Sequence, residues 1–344
     1  MLIIADDLTG AAEVAAMAPK GAVVVATNTR SMTEDDAIAE TQRIIASRLT
    51  TNTLVSEIFK KTDSALRGHI VAELQCLMQM MNAKKCLLIP QNPTRRRFIT
   101  EGQYRIDGVL LHETSFRDDP EYPITSSRVE DLLRGARYLP LDAPLQEGIN
   151  IAEATSLDDI KTQLRKSDDE TLLAGGADFF GLITTSATRQ IRVKDCLTKR
   201  IIIVQGSTLS NNLRETDFYK THNFNYCPMP DDVFHGAERT DWACHNGNVC
   251  LCVGHKEKGD ANHLKKMMAA TTKTLIERTN DTLSTPLTLI IEGGATAFAT
   301  LMLLKWYDLE LLGQLAPGVV ALRHGKDTVI LKPGSYPWGK ELFE

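Results

Sequence analysis

Residues 1–17, MLIIADDLTGAAEVAAM, and residues 60–74, KKTDSALRGHIVAEL, share one pattern. An apolar run, LIIA within the first stretch and IF just before the second, ends in a charged cluster. A glycine stands nearby, and a segment typical of a helix begins. Such a pattern predicts a buried strand that leads into a helix, the repeating unit of α/β proteins. Ligands of open α/β sheets bind outside the carboxyl ends of the strands, so both aspartate clusters are candidate site residues.

The same alternation of strand and helix continues along the chain. Further strands are predicted at AVVVAT, VSEIFKKTD, CLLIP, INIAEA, IIIVQG, NVCLCVG, LTLII and DTVILK. Helices are predicted between them, including one over residues 66–81, and QYRIDGVLLHETSF alternates like a hairpin. We therefore predict an α/β fold of two domains, residues 1–190 and 191–344, each with a mainly parallel sheet flanked by helices.

Composition limits the classes of partner. The 344 residues include 39 Lys and Arg against 44 Asp and Glu, a net charge of −5, which argues against nucleic acid as the main partner. No run approaches the roughly 20 apolar residues of a membrane span, and no basic signal region precedes the first apolar run. We expect a cytoplasmic protein with no membrane partner, and its seven scattered cysteines suit reduced thiols.

One group of cysteine and histidine residues is a candidate metal site. Cys244, His245, Cys250 and Cys252 have a spacing that is not usual for zinc. Cys250 and Cys252 alternate within NVCLCVG, as side chains on one face of a strand do. Thiols in the core or at the surface are the better interpretation, and we predict no metal site.

Charged residues follow the predicted strands of the first half. Arginines here could hold a carboxylate with two hydrogen bonds, and aspartates could accept hydrogen bonds from hydroxyls, hold a metal or act as a base. The alternative is that Asp7 only caps the helix that begins near Thr9, and that Lys61 and Asp63 form a solvated pair. The residues of this set are Asp6, Asp7, Arg30, Lys61, Asp63, Ser64 and Arg67.

Small and hydroxylated residues follow two strands of the second half, in QGSTLS (205–210) and EGGATA (292–297). A glycine-rich turn that opens a helix presents backbone N–H groups and the positive end of the helix dipole to an anion. Neither loop contains the GK[ST] of a Walker motif. A tight turn with close helix–sheet packing is the alternative for either loop alone, but two such loops in one domain favour a nucleotide.

Taken together, the motifs resemble those of the four-carbon acid sugar kinases, which are the threonate, erythronate and 3-oxo-tetronate kinases. IADDLTGA, KTDSALRG, QGSTLSNNLRETD, GGATA and KPGSYP occur here in that family's order. The resemblance implies an ATP-dependent kinase with Mg²⁺, whose N-terminal domain binds the acid sugar and whose C-terminal domain binds ATP. It further implies a reaction in the cleft between the domains, with the terminal 4-hydroxyl as acceptor, and one substrate pocket for both aspartate clusters.

The resemblance also assigns residues by motif position. We favour Asp63 as the catalytic base and Asp7 as the ligand of a substrate hydroxyl, although the two roles could be exchanged. Sugar acid and ATP are the expected partners, and a homodimer is the assembly to test. The substrate-binding residues implied are Asp6, Asp7, Arg30, Lys61, Thr62, Asp63, Ser64 and Arg67. The ATP-binding residues implied are Ser207, Ser210, Gly293, Gly294, Thr296, Lys332 and Gly334.

Two other functions compete with the kinase. Ala295 stands where the family usually has an acidic residue, and KPGSYP replaces a more glycine-rich ending, which favours a sugar-acid-binding relative that has lost phosphoryl transfer. An NAD-dependent oxidoreductase is poorly supported, because ADDLTG stands where a G-x-G-x-x-G turn would follow the first strand.

Overall fold

The computed structural model describes residues 1–48, 54–119, 121–184, 188–206, 213–243, 247–255, 257, 259–280, 285–334 and 338. The chain divides into two compact units, Met1–Ala187 and Thr188–Glu344. Each unit contains its own sheet with helices along it.

The N-terminal unit has, within its described residues, a seven-stranded sheet in which every neighbouring pair of strands is parallel. Its strands are β1 (Leu2–Ala5), β2 (Val23–Ala26), β3 (Ile58–Lys61), β4 (Lys85–Ile89), β8 (Ala136–Leu139), β9 (Gly148–Ala152) and β10 (Thr171–Gly175). A small antiparallel sheet consists of β5 (Arg97–Thr100), β6 (Gln103–Ile106) and β7 (Val109–Leu110). The helices are α1 (Leu8–Ala15), α2 (Glu34–Arg48), α3 (Ile70–Met81), α4 (Val129–Leu132), α5 (Leu157–Leu164) and α6 (Ala177–Ile183).

Both faces of this sheet are buried, as the continuous apolar runs of its strands indicate. Ile4 of β1 and Ile58 of β3 pack into a core on one face with helix α3, which contributes Leu74. Ile3 and Phe59, the alternate residues of the same strands, pack into a second core on the opposite face. The strand period of two thus divides each strand between two apolar layers.

Strand β10 is not identified by the sequence analysis, and it lies at the centre of the sheet. The strand order is β2-β1-β3-β10-β4-β9-β8, so the last strand of the unit separates β3 from β4. Helix α3 also begins later than residue 66, at Ile70. Leu66 and Gly68 have φ angles of 63° and 91°, which are left-handed and delay the helix by one turn.

The C-terminal unit has, within its described residues, a seven-stranded sheet in the order β12-β13-β11-β14-β17-β16-β15. The first five strands are parallel, and β16 and β15 add an antiparallel edge. The strands are β11 (Arg200–Gln205), β12 (Asn225–Pro228), β13 (Val249–Cys252), β14 (Leu287–Glu292), β15 (Glu310–Ala316), β16 (Val319–His324) and β17 (Asp327–Lys332). The helices are α7 (Asp217–Thr221), α8 (Asp231–Phe234), α9 (Ala261–Asn280) and α10 (Gly294–Leu304).

The two sheets confirm the predicted α/β class with mainly parallel sheets flanked by helices. None of the helices in the described ranges combines the length and the apolar character needed to cross a bilayer.

Candidate functional site

The charged residues predicted from the first half meet at one edge of the N-terminal sheet. Strands β1 and β3 are neighbours, and their last residues, Ala5 and Lys61, are paired in register. Asp6 and Thr62 therefore leave the sheet side by side. Strand β2 pairs with the other side of β1, and Arg30 follows it in a short 3₁₀ turn.

Arg30 binds three aspartates at this edge. Its Nε and Nη2 donate to Oδ2 of Asp6 at 2.9 and 2.8 Å, and its guanidinium lies 3.3 Å from carboxylate oxygens of Asp7 and Asp63. The side chain is only 14% exposed. Burial would lower the pKa of Arg30, but the three carboxylates outweigh it and raise that pKa well above the ordinary value. Arg30 is therefore a permanently charged centre of the cluster.

Asp63 is held by its own turn and by Arg67. Oδ2 accepts hydrogen bonds from the backbone N–H of Ala65 and Arg67 and from Nε of Arg67, at 3.0, 3.2 and 2.9 Å. Oδ1 accepts from Nη2 of Arg67 at 3.0 Å, while Nη1 of Arg67 donates to Asp119 at 2.8 Å. Although burial would raise the pKa of Asp63, Arg30 and Arg67 hold it well below the ordinary value. Asp63 is ionised and has both oxygens engaged.

Asp7 caps helix α1 and also faces the cluster. Its Oδ1 accepts from the backbone N–H of Gly10 at 2.7 Å, and its Oδ2 accepts from the hydroxyl of Thr9 at 2.8 Å. Its side chain is 20% exposed, against 9% for Asp63. Burial would raise the pKa of Asp7, but nearby Arg30 and Lys61 lower it. Asp7 is thus a cap and the more accessible of these two carboxylates.

Lys61 connects the cluster to two residues that the sequence analysis does not assign. Its Nζ donates to the carbonyl of Thr62 at 2.9 Å and lies 3.8 Å from a carboxylate oxygen of Glu13. The other oxygen of Glu13 lies 2.6 Å from Nη2 of Arg95. Glu13 lies six residues after Asp7, about 120° away around the helix axis, so its spacing from Asp7 does not identify it as a site residue.

Ser64 brings the small antiparallel sheet to the site. Its hydroxyl accepts a short hydrogen bond from Nη1 of Arg97, and its carbonyl accepts one from the hydroxyl of Tyr104. The guanidinium carbons of Arg67 and Arg97 lie 5.0 and 5.8 Å from the centre of the Phe116 ring. The predicted hairpin region, residues 103–116, therefore supplies Tyr104 and Phe116 to the cluster. Its alternating sequence pattern does not indicate this role.

A buried ion pair between Lys60 and Glu73 is connected to the turn that carries Arg30. Nζ of Lys60 lies 2.6 Å from Oε1 of Glu73, and both side chains are almost completely buried. The same oxygen accepts from the hydroxyl of Thr29 at 2.7 Å, and Thr29 is within 2.8 Å of the hydroxyl of Thr27. This network connects β3 and α3 to the turn that carries Arg30, so it fixes the position of that arginine.

The glycine-rich residues of the second half lie at the matching edge of the C-terminal sheet. Gln205, Glu292 and Lys332 are paired in register across β11, β14 and β17, so Gly206 and Gly293 leave the sheet beside each other. Gly293 has a φ of 97°, and helix α10 begins at the next residue with no acidic side chain in its first turn. This arrangement suits an anion at the start of α10.

Gly206 and Thr296 approach each other closely at this edge. A Cβ at Gly206 would lie 2.1 Å from the hydroxyl oxygen of Thr296, so only glycine leaves the room that the contact needs. Thr296 itself is buried in α10. Gly206 therefore makes the close helix–sheet packing that the tight-turn alternative predicts. It also lies at the candidate anion site, beside Gly293.

Lys332 is buried in an ion pair. Its Nζ lies 2.6 Å from Oε1 of Glu292 and donates to the carbonyl of Pro333 at 3.1 Å, and neither side chain of the pair is exposed. Burial lowers the pKa of Lys332 despite the neighbouring carboxylate. The ammonium group of Lys332 is thus directed into the protein, and Gly334 follows it half-buried.

Some predicted residues lie outside the described ranges. Ser207 and Ser210 are among them, as are Cys244 and His245. Cys250 and Cys252 are buried in β13, which confirms the predicted strand. Within the described ranges, His, Cys, Asp and Glu form no group that could hold a metal ion.

A family model described as the sugar-binding N-terminal domain matches residues 1–170. The match covers just under half of the 344 residues, all of them in the first half of the chain. They carry the entire charged cluster, from Asp6 to Asp119.

Two curated relatives align with part of this chain. D-threonate kinase of Salmonella typhimurium is 29% identical over 160 residues, which cover 41% of this chain and 38% of the relative. 3-oxo-tetronate kinase of Brucella melitensis is 28% identical over 150 residues, which cover 37% of this chain and 34% of the relative. The matches thus span little more than a third of either relative's length. With the family model, they confirm the resemblance to the four-carbon acid sugar kinases.

A solved structure shares the fold of the whole chain. Haemophilus influenzae protein HI1011 superposes with a TM-score of 0.70 at 16% identity, covering 100% of this chain and 98% of that protein. At this identity the likeness concerns the fold alone, and it agrees with two units of parallel sheet and helices.

Proposed function

We propose that this protein is an ATP-dependent kinase that phosphorylates a four-carbon acid sugar, namely threonate, erythronate or 3-oxo-tetronate, at the terminal 4-hydroxyl. The observation that carries the proposal is the cluster of three aspartates around Arg30, at the carboxyl edge of a sheet in a sugar-binding domain. The names of the two curated relatives support kinase activity on a sugar acid.

The cluster suits a small ligand that is both hydroxylated and anionic. Carboxylates accept hydrogen bonds from sugar hydroxyls, and the cations beside them attract an acid group. The proposed substrate-binding residues are Asp6, Asp7, Arg30, Lys61, Thr62, Asp63, Ser64 and Arg67.

We assign the role of general base to Asp7 in preference to Asp63. Both aspartates have their two oxygens engaged, but Asp63 binds the guanidinium of Arg67 through both of them. Its pKa lies well below the ordinary value, which makes it a weak base. Asp7 is more exposed, and its pKa is lowered less. Asp63 would then orient Arg30 and Arg67 instead of acting as the base, the role for which its motif position favours it.

The edge of the C-terminal sheet is the proposed nucleotide site. Gly293, Gly294 and Thr296 would present backbone N–H groups at the start of α10 to the phosphates. Lys332 would act by holding Glu292 at the strand end, while Gly334, Ser207 and Ser210 are assigned from their motifs. Bound with ATP, Mg²⁺ would neutralise the charge that develops on the transferred phosphoryl group.

The test is ADP production from MgATP with and without a panel of four-carbon acid sugars. We expect ADP formation that depends on one of these acids. A protein that binds an acid sugar in calorimetry but forms no ADP with any member would instead be the non-catalytic relative. A protein that binds no member of the panel would contradict the proposed substrate class.

A further inference from the structure

The cations of the charged cluster are unequally neutralised. Arg30 is surrounded by three aspartates, and Arg67 binds Asp63 and Asp119. A carboxylate that arrives from solution would have to share these guanidinium groups with carboxylates already bound to them. It binds more strongly where a cation has no such partner, because the full charge and the N–H donors are then available.

Arg97 is such a cation. Its guanidinium donates to the hydroxyl of Ser64, the residue after Asp63, and it is half-buried. Within the described ranges, no Asp or Glu lies in ion-pair distance of it. One contact of Arg97 is apolar, since the centre of the Phe116 ring lies 5.8 Å from its guanidinium carbon. The guanidinium is therefore held at the site by neutral contacts, and none of the described carboxylates forms an ion pair with it.

The two preceding arginines differ from Arg97 in this respect. Arg95 lies 2.6 Å from Glu13. Arg96 lies 2.9 Å from Asp107, in a pair whose side chains are 70% and 66% exposed. Among the described residues, Arg97 thus contacts Ser64 without a carboxylate partner, whereas Arg95 and Arg96 are each paired with one.

We propose that Arg97, together with the hydroxyl of Ser64, binds the carboxylate of the sugar acid. This inference rests on the proposed function and identifies the residue that selects an acid over an uncharged sugar alcohol. The planar fork of the guanidinium matches a carboxylate with two parallel hydrogen bonds, and the hydroxyl of Ser64 can rotate to donate a third. The hydroxyl groups of the ligand would then lie toward Asp7 and Asp63, which follow adjacent strands.

The experiment compares acids with alcohols of the same length. Binding of threonate and erythronate, and of threitol and erythritol, is measured by calorimetry for the wild type, Arg97→Ala and Arg97→Lys, alongside KM and kcat. We expect Arg97→Ala to weaken binding of the preferred acid by about 10- to 100-fold, the loss of charged hydrogen bonds, with binding of the matching alcohol almost unchanged. Arg97→Lys keeps the charge but lacks the planar guanidinium fork, so its affinity for the acid should lie between those of the wild type and Arg97→Ala. Melting temperature verifies that each variant is folded.

Arg117→Ala is the matched control. Arg117 is also an arginine of the N-terminal unit, 67% exposed and paired with Asp118, so its removal changes the net charge equally without reaching Ser64. It should leave the preference for the acid intact.

Three results would overturn the assignment of Arg97. They are unchanged acid binding in both Arg97 variants, an equal loss for acid and alcohol, and an equal loss of acid binding in Arg117→Ala. These results differ from failure of the proposed function. A wild type that binds acids but transfers no phosphoryl group contradicts the kinase alone, and the binding data still decide the role of Arg97. A wild type that binds no acid contradicts both.

Discussion

A single guanidinium, that of Arg30, keeps three aspartates together whose charges would otherwise repel one another. The environments of these carboxyl groups separate their pKa values. Burial raises the pKa of Asp6 despite Arg30, whereas Arg30 and Arg67 hold that of Asp63 well below the ordinary value. Pairs of titratable groups with diverging pKa values are typical of active sites, although structural ion-pair networks produce them as well.

Substitution of the two candidate bases separates their roles. Asp7→Asn should lower kcat by about 10²- to 10⁴-fold, because asparagine cannot accept the hydroxyl proton. Asp63→Asn should mainly raise KM for the sugar acid, because Arg30 and Arg67 lose the carboxylate that orients them. The measurement is kcat and KM for both variants at saturating MgATP.

The exposed Asp118 provides the control, since Asp118→Asn removes a carboxylate of the same unit that is 63% exposed and should change neither constant. If Asp63→Asn abolishes turnover while Asp7→Asn retains it, the roles are exchanged. If both variants retain turnover, neither aspartate is the base.

At the scale of the element, strand β10 depends on a glycine at its last position. Gly175 pairs with Lys61 of β3 and with Ile89 of β4, so it lies between two site-bearing strands. A Cβ at Gly175 would lie 2.0 Å from the carbonyl oxygen of Ile89, and its φ of 154° lies where side chains are rare. The space that this Cβ would need is filled by backbone atoms of Ile89, which cannot move aside as a flexible side chain can.

We therefore expect Gly175→Ala to lower the free energy of unfolding by about 2 kcal/mol or more, as overpacking does. Gly108→Ala is the control, because Gly108 also has a positive φ, 85°, but nothing lies within 4 Å of its added Cβ. That change should cost only the strain of the left-handed backbone, about 1 kcal/mol. Urea unfolding of both variants measures the difference, and equal losses would refute the packing argument.

At the scale of the whole molecule, each unit has apolar cores of its own. Two clusters cover the faces of the N-terminal sheet, and a separate cluster lies in the C-terminal unit. A unit with its own core folds independently as a rule. The family model for sugar binding also lies entirely within the N-terminal unit.

We expect fragments 1–187 and 188–344 to unfold cooperatively when they are expressed separately. The first should bind the sugar acid and the second an ATP analogue, and neither alone should form a phosphorylated product. Calorimetry of each fragment with each ligand is the measurement, and the full chain is the control. Binding of the ATP analogue by fragment 1–187 would refute the assignment of ligands to units.

The sequence by itself determined the fold class and the chemistry of the strand ends. Continuous apolar runs followed by helical segments predict parallel sheets, because strand and helix periods are local properties of the chain. The charged ends at Asp6 and Asp63 and the glycine-rich end at Gly293 are equally local. Their positions at the carboxyl edges of two sheets follow from the direction of parallel strands.

The tertiary structure alone decided which of these residues meet and how they are paired. Strand order places β10 between β3 and β4 although it is last along the unit, and no local pattern encodes that order. Glu13, Arg97 and Tyr104 reach the cluster through packing between distant segments, and Lys332 is directed into a buried pair that its motif does not indicate. Such contacts depend on long-range packing, whereas a motif records only residue types and their spacing.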